Sequence, residues 1–273
     1  MIIWIFISGL MLSLLTLVPL SIKWELEKRL TVPVSIFIGI ISGSVICGVF
    51  TIWNLLLYQI IIIELLLIGV ISVSLLLWRF YRDPERVPPE GENAILSPAD
   101  GKVIYVKKIE KGQIPFSDKR GKKFLLNDFT HAGVLPQGGY LIGIAMNFLN
   151  VHINRAPISG RISLLKYIKG TFLSLKKKEA VVQNERNLII IENEHFKLGI
   201  VQIASRLVRK IVPYIQEGQE VRKGVRIGAI RFGSQVDLIL SDLPSIHINV
   251  DPGEKVKAGL SIIATFEESN KKQ

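Results

Sequence analysis

The chain has 273 residues, of which 49% are apolar, and it carries a formal net charge of +11. Because this apolar fraction and the positive mean hydropathy are high for a soluble protein, they indicate a membrane portion. The single cysteine, Cys47, lies in an apolar run, which excludes an internal disulfide and argues against a thiolate metal site.

The first 82 residues are predicted to be a membrane anchor. Residues 1–22 and 30–63 contain no charged side chain, and 65–78 continues the second run after Glu64. One membrane-spanning helix needs about 20 apolar residues. The first run therefore predicts one helix, and residues 32–78 predict two helices joined by a tight turn near 54–59.

Basic residues set the expected orientation of these three helices. Lys28 and Arg29 flank the first helix, and Arg79 and Arg82 follow the last. Basic flanks prefer the cytoplasm, and a helical hairpin returns the chain to the same side. We therefore expect a multi-pass cell-membrane protein with its catalytic domain on the cytoplasmic side. The first run lacks the features of a cleaved signal peptide, which favours a retained anchor.

Charge and polarity suggest how each portion is used. Glu64 is expected near a helix end or inside the helical bundle rather than at a functional site.

The anchor has a net charge of +2, so the remaining +9 belongs to residues 83–273. Anionic lipid attracts basic groups as nucleic acid does, and no nucleic-acid-binding signature is visible. We therefore expect a lipid surface and no nucleic acid partner.

The globular portion is predicted to be mostly β. Short β-branched or alternating segments separated by glycine turns are typical of an all-β barrel or sandwich. One segment, Ser205–Tyr214, is predicted to be a short helix. The predicted strands are Lys102–Ile109, Tyr140–Asn147, Val151–Arg155, Gly160–Ile168, Leu188–Glu192, Lys197–Ile203, Gly228–Arg231, Gln235–Leu240 and Leu260–Phe266.

An internal similarity refines this fold class. Residues 218–224 and 253–259 both have the pattern G-x-x-V-x-x-G and both precede an apolar strand. Residues 97–103 have the composition of a hairpin entry. Such units recur in barrel-sandwich domains of the biotinyl and lipoyl type, although ordinary glycine turns give the same pattern. We expect a barrel-sandwich-like domain preceded by a helical transmembrane region.

Few residues are candidates for chemistry. The four histidines, at 131, 152, 195 and 247, do not have a metal-ligand spacing, and no nucleotide-binding loop follows a strand. Taken singly, Asp100 is a turn residue, His152 is equally well a structural histidine, and Ser234 follows Gly233 in a turn or bulge. Together, an acid, a base and a hydroxyl are what activation of a serine nucleophile requires.

Several ordered motifs resemble the phosphatidylserine decarboxylase family, in the short form that includes archaetidylserine decarboxylases. The resemblance runs from about Arg82 to Leu240. Its motifs are R-D-P-E-R at 82–86 followed by Pro88, S-P-A-D-G-K-V at 97–103, N-V-H-I-N-R-A-P at 150–157 with Gly160, Y-I-K-G at 167–170, N-E-R at 184–186, Q-I-A at 202–204 and F-G-S-Q-V-D at 232–237.

The resemblance implies a self-processing enzyme. The chain would cleave itself between Gly233 and Ser234, with Ser234 as nucleophile, His152 as base and Asp100 orienting it. The products would be residues 1–233 and 234–273, held together as a heterodimer. Ser234 would become a covalent pyruvoyl group whose Schiff base with the lipid amine lets carbon dioxide leave. The substrate would be a serine phospholipid, the product an ethanolamine lipid, and no metal or nucleotide would be required.

Two positions and the number of membrane spans depart from the family pattern. Gln235 stands where arginine is expected, and Leu149 stands where the longer branch has a second histidine. The proton donor for the last step is therefore unassigned. Three spans are also more than the short branch commonly has.

Two other functions stay open at this point. A membrane-tethered carrier or adaptor would need a modifiable lysine at a hairpin tip or a long helical hairpin, and neither is visible. A membrane serine hydrolase would use Asp100, His152 and Ser234 without cleaving the chain. G-x-S-x-G is absent, which counts against an α/β-hydrolase.

Overall fold

The computed structural model describes most of the chain. The described residues are 2–23, Leu26, 28–53, 55–111, Gln113, 116–119, 122–125, 134–135, 137–169, 185–204, 210–231, 234–241 and 246–266, without the side chains of Lys23, Ser234, 116–119 and 122–125. The chain forms two compact units, residues 1–82 with 147–149 and residues 83–146 with 150–273.

Three helices form the first unit: α1 Ile2–Lys23, α2 Lys28–Ile52 and α3 Leu57–Tyr81. Each is long and apolar enough to span a membrane. Small residues allow α1 and α2 to approach closely, since a Cβ at Gly9 would lie 3.0 Å from the Gly39 carbonyl oxygen. Glu64 is wholly buried inside this bundle and accepts a hydrogen bond from Ser8 Oγ at 3.0 Å. The interior of the bundle is one of the two positions predicted for Glu64.

Sixteen described strands form the second unit, and they assemble into four sheets. The largest has eight strands in the order β11-β7-β8-β9-β13-β5-β2-β15, and it is a curled half-barrel. Two three-stranded sheets have the orders β1-β16-β14 and β10-β12-β6, and β3-β4 is a hairpin. The strands are β1 Ala94–Leu96, β2 Gly101–Ile109, β3 Phe116–Lys119, β4 Lys122–Leu125, β5 Gly139–Met146, β6 Ile153–Arg155, β7 Gly160–Ile168, β8 Arg186–Glu192, β9 Lys197–Ile203, β10 Lys210–Pro213, β11 Glu220–Val221, β12 Arg226–Arg231, β13 Ser234–Ser241, β14 Ile246–Ile248, β15 Lys255–Val256 and β16 Ile262–Phe266.

The second unit is built from two similar halves. The eight-stranded sheet has matching strands at equal distances from its centre, where β9 and β13 pair. One half is continuous and comprises β6 to β12. The other is split and comprises β1, β2 and β5 before it and β13 to β16 after it. The chain therefore passes between the halves twice, after β5 and after β12.

The G-x-x-V-x-x-G repeats are the equivalent turns of these halves. Gly218 donates its amide to the Ile162 carbonyl and Gly253 donates to the Val103 carbonyl, both at 2.8 Å. Both turns open and close on glycines with positive φ, at 86° and 81° in one copy and 107° and 69° in the other. Only glycine adopts this backbone region readily. The predicted internal similarity is therefore a structural duplication.

Apolar side chains cover both faces of the large sheet. One face packs against the two three-stranded sheets, and its Ile144 and Val236 share a continuous buried core with Ile230 of β12. The other face buries a smaller cluster that includes Leu141, Val201 and Ile239. Alternation along β13 therefore sends even-numbered side chains to the larger core and odd-numbered ones to the smaller.

All nine predicted strands are found, with ends that differ from the prediction by at most two residues. The predicted helix at Ser205–Tyr214 is wrong over residues 210–213. These form β10, which pairs with β12 from Lys210 to Pro213, because the β-branched Ile211 and Val212 suit a half-buried strand. Residues 205–209 lie outside the described residues.

Gly224 and Gly253 allow the cost of backbone strain to be measured separately from the cost of a steric clash. A Cβ at Gly224 would collide with the Pro88 ring, whereas a Cβ at Gly253 would meet open space, and both have positive φ. We expect Gly253→Ala to cost about 1 kcal/mol of unfolding free energy from backbone strain alone. Gly224→Ala should cost more and lower the thermal midpoint by several further degrees. Equal midpoints in thermal unfolding would contradict the contact with Pro88.

Candidate active site

The candidate site lies where strands of the two halves begin. Lys102 of β2 and Gln235 of β13 both pair with Ala145 of β5, so Asp100 and Ser234 lie at the same edge of the sheet. The Ile230 amide, near the end of β12, donates to the His152 carbonyl at 3.1 Å. His152 is thus fixed beside the strand that leads to Gly233.

His152 is held in one orientation. Its ring is 3% exposed, and Nδ1 lies 2.9 Å from the Asn150 carbonyl oxygen. Because a carbonyl only accepts, Nδ1 carries the proton and Nε2 carries the basic lone pair in the neutral ring. This tautomer is the one that a general base acting through Nε2 requires.

Asp100 is the acceptor at the centre of a buried network. Arg86 donates to both of its carboxylate oxygens, at 2.6 and 3.0 Å. The Ala258 amide donates at 2.8 Å and the Val151 amide at 3.4 Å. A bidentate arginine and two backbone amides are donors that suit the acceptor oxygens of a carboxylate. The contact with Val151 connects Asp100 to the backbone immediately before His152.

The duplication distinguishes Asp100 from a turn residue. Its counterpart in the other half is Ser159, whose Oγ accepts the Lys223 amide at 2.9 Å, just as Asp100 accepts the Ala258 amide. A serine is therefore sufficient for the turn. The extra carboxylate at position 100 brings a charge and a bidentate arginine that the turn itself does not need.

The R-D-P-E-R segment is clamped by arginines of the continuous half. Arg155 donates to the Pro84 carbonyl at 3.0 Å and lies 3.5 Å from the Asp83 carboxylate. Arg226 binds Asp83 and Glu85, each at 2.6 Å. Burial, with the nearby Arg226 charge, lowers the pKa of Arg155, and the hydrogen bond from Arg226 lowers the pKa of the Glu85 carboxyl. These contacts fix the segment that carries Arg86.

Position 234 opens the central strand β13. The Ser234 backbone pairs with Met146 of β5, and the next residue, Gln235, is 2% exposed. The Gln235 amide donates to Tyr105 Oη at 2.9 Å and to Asp237 Oδ1 at 2.8 Å. Its side chain therefore has a structural contact. The Ser234 side chain and Gly233 lie outside the described residues.

The remaining histidines do not join this site in the described part of the chain. His195 lies beside the Phe266 ring, 6.2 Å between centroids, and His247 is exposed on β14. His131 lies outside the described residues. Among the described residues, no group of three His, Cys, Asp or Glu side chains is arranged to hold a metal ion.

Arg86 is the residue that sequence reasoning missed. It lies in one of the resemblance motifs, but nothing in a linear pattern pairs it with Asp100, fourteen positions later. The one indication in the sequence was that Arg86 belongs to such a motif. An extended surface segment without a role would not need a motif. In the structure Arg86 is the charge partner of Asp100, and Asp100 in turn binds the amide of Val151, the residue before His152.

Comparison with known proteins identifies the family of the chain. Residues 73–264 match the family model described as phosphatidylserine decarboxylase. A Methanocaldococcus jannaschii protein, provisionally named an archaetidylserine decarboxylase proenzyme, is 42% identical over 74% of this chain and 96% of its own length. Phosphatidylserine decarboxylase proenzymes of Chlorobium limicola and Syntrophus aciditrophicus are 37% and 40% identical, over 72% and 68% of this chain and 83% and 78% of theirs.

The match to relatives that are named proenzymes identifies a self-processing type of enzyme rather than a carrier domain. The chain belongs to the phosphatidylserine decarboxylase family.

Removing Arg86 should expose the cost of an unpaired buried charge. The side chains of Arg86 and Asp100 are 7% and 8% exposed. We expect Arg86→Met to lose about 3–5 kcal/mol of unfolding free energy, and Arg86→Lys to lose less because one charged contact remains. The control is Arg226→Met, whose exposed ion pairs should contribute under about 1 kcal/mol. Similar losses in thermal unfolding for the two methionine variants would contradict the assignment.

Proposed function

We propose that this chain converts a serine phospholipid to the ethanolamine lipid and carbon dioxide, using a pyruvoyl group that it makes from Ser234. The observation that carries the proposal is the convergence of Asp100, His152 and the start of β13 within a chain of this family. The proenzyme names of the relatives support self-processing.

Self-cleavage begins with an acyl shift. Ser234 Oγ attacks the Gly233 carbonyl carbon while His152 Nε2 takes the hydroxyl proton. The C–N bond then breaks, an ester joins Gly233 to Oγ, and the proton passes to the freed amine of residue 234. Glycine at 233 leaves the carbonyl approachable. Nucleophile and base act here as in other serine-activating sites.

Elimination completes the processing. Loss of the residue-234 Cα proton expels the Gly233 carboxylate, which becomes the carboxyl terminus of residues 1–233. The dehydroalanine left at position 234 tautomerises to an imine, and water converts it to the ketone with release of ammonia. The atoms balance with one water consumed and no oxidant.

Asp100 acts on His152 indirectly in this proposal. Its oxygens accept bonds from Arg86, the Ala258 amide and the Val151 amide. The Val151 contact fixes the backbone that presents the imidazole, and the Asn150 carbonyl fixes the ring. The negative charge also stabilises the imidazolium that forms when His152 holds the serine proton.

A pyruvoyl group fits position 234. An ammonium at the new chain end, next to the buried Gln235, would add a charge that needs a counter-charge or water. A ketone is uncharged. When formed, it supplies an electrophilic carbonyl that bonds the substrate amine and accepts electrons as the carboxylate leaves.

The small chain should remain bound after cleavage. It contains β13, which pairs with β5 on one side and β9 on the other, and β16, which pairs with β1. We infer a heterodimer of residues 1–233 and 234–273. The two similar halves and their hairpin turns also support the finer assignment of a barrel-sandwich-like fold.

The anchor suits a substrate that stays in a bilayer. Three helices long and apolar enough to cross a membrane precede the β-unit, and the excess positive charge lies beyond them. We infer that the β-unit works at the cytoplasmic surface. Ester-linked and ether-linked serine lipids present the same headgroup, so both belong in the assay.

Intact mass under denaturing conditions tests the proposal. We expect purified material to give residues 1–233 and a second chain of 234–273 blocked by pyruvoyl, and the two should co-purify before denaturation. Ser234→Ala should give one full-length mass and no lipid turnover. A full-length wild-type chain that is folded and active would overturn the pyruvoyl route and favour a serine hydrolase.

His152 can be tested at the first step. We expect His152→Ala to slow self-cleavage by at least about 100-fold, since general base catalysis contributes factors of about 10² to 10⁴. Hydroxylamine cleaves the ester but not the amide, so it should release little small chain from this variant. His195→Ala, altered outside the site, should process normally. Rapid cleavage of His152→Ala by hydroxylamine would show that the ester forms without this base.

A further inference from the structure

Three side chains form a closed hydrogen-bonded ring on the sheet face that carries Leu141 and Ile239. Tyr105 Oη donates to Asp237 Oδ2 at 2.7 Å. Gln235 Nε2 donates one proton to Tyr105 Oη and the other to Asp237 Oδ1, at 2.9 and 2.8 Å. We call Tyr105, Gln235 and Asp237 the tyrosine cluster.

The donors and acceptors within the cluster are complementary. An ionised Asp237 accepts twice, the phenol donates once and accepts once, and the amide donates both of its protons. Asp237 is wholly buried and Gln235 nearly so. Hydrogen bonds in such a setting hold their partners in one geometry, and losing a donor leaves a buried charge poorly satisfied.

Two local features allow Tyr105 to reach across the sheet. The pairing of β2 with β5 shifts by one residue between Val103 and Tyr105, so Ile104 forms a bulge. This bulge places Tyr105 on the face opposite to Val103. The ring then crosses β5 at Gly143, where any Cβ would collide with it. The bulge and the glycine together let a β2 side chain bind β13.

The cluster joins the two products of the proposed cleavage. Tyr105 belongs to residues 1–233, whereas Gln235 and Asp237 belong to residues 234–273. Gln235 is the first residue after the reactive one. Cutting the chain removes the covalent restraint on position 234, and a free strand end frays unless it is tied down.

We propose that Tyr105 is a positioning residue for decarboxylation: through Gln235 it holds the pyruvoyl-bearing end of β13 against the substrate. The inference rests on the proposed self-cleavage. Before cleavage the backbone restrains position 234 from both sides, so the cluster is dispensable for processing. After cleavage it is the nearest side-chain anchor to the reacting carbonyl among the described contacts.

The test compares Tyr105→Phe with wild type in detergent-purified, full-length enzyme assayed on phosphatidylserine vesicles. We expect complete cleavage to the same two masses, a kcat roughly tenfold lower, because small misplacements of reacting groups are costly, and a KM within about twofold. Gln235→Met, which removes the other arm of the cluster, should give the same pattern. Tyr140→Phe, a half-buried tyrosine of β5 outside the cluster, should match wild type.

The outcomes separate this inference from the proposed function. Wild type that remains uncleaved overturns both. Cleaved wild type with unchanged kcat in Tyr105→Phe and Gln235→Met overturns the positioning role alone. A variant that melts earlier but keeps its kcat shows a merely structural cluster and also overturns it.

Discussion

The pairing of β13 on both sides is the constraint on which the rest of the β-unit depends. This strand lies between β5 and β9 at the centre of the eight-stranded sheet. Its first residue is Ser234, so main-chain pairing places the proposed cleavage position in the sheet. The same pairing would hold a small chain cut immediately before β13, since β13 pairs with β5 and β9 and β16 pairs with β1.

The duplication explains why the site forms where it does. One half is inserted into the other, so the chain crosses between halves before β6 and again before β13. His152 lies just before β6, and the Ile230 amide at the second crossing binds its carbonyl. Two segments far apart in sequence are thereby joined at one edge. Asp100 stands where the other half has a purely structural turn acceptor, Ser159, and Arg86 balances its charge.

Much of this arrangement was accessible from the sequence because the relevant signals are local. Long apolar runs predict the three helices, alternation predicts the central strands, and the repeated glycine pattern indicates two related turns. The motif order brought Asp100, His152 and Ser234 into one hypothesis. The same local signals failed at residues 210–213, where pairing with β12 decides the structure.

The features that sequence could not supply all depend on long-range pairing. The partner of Asp100 is one example, because nothing in R-D-P-E-R says which carboxylate Arg86 meets. The face of Tyr105 is another, since the bulge at Ile104 reverses the alternation that a regular strand would give. The departure at Gln235 also became interpretable only when Tyr105 and Asp237 were found as its partners.

Trapping the substrate on the enzyme is the clearest test of a pyruvoyl group at position 234. Cyanoborohydride reduces the imine that a ketone forms with an amine. Turnover of phosphatidylserine vesicles in its presence should therefore attach the lipid amine covalently to position 234. The mass of the 234–273 chain should increase by the reduced lipid adduct, while the mass of the 1–233 chain should stay unchanged. Lipid turnover with an unmodified small chain, or an adduct on the large chain, would contradict it.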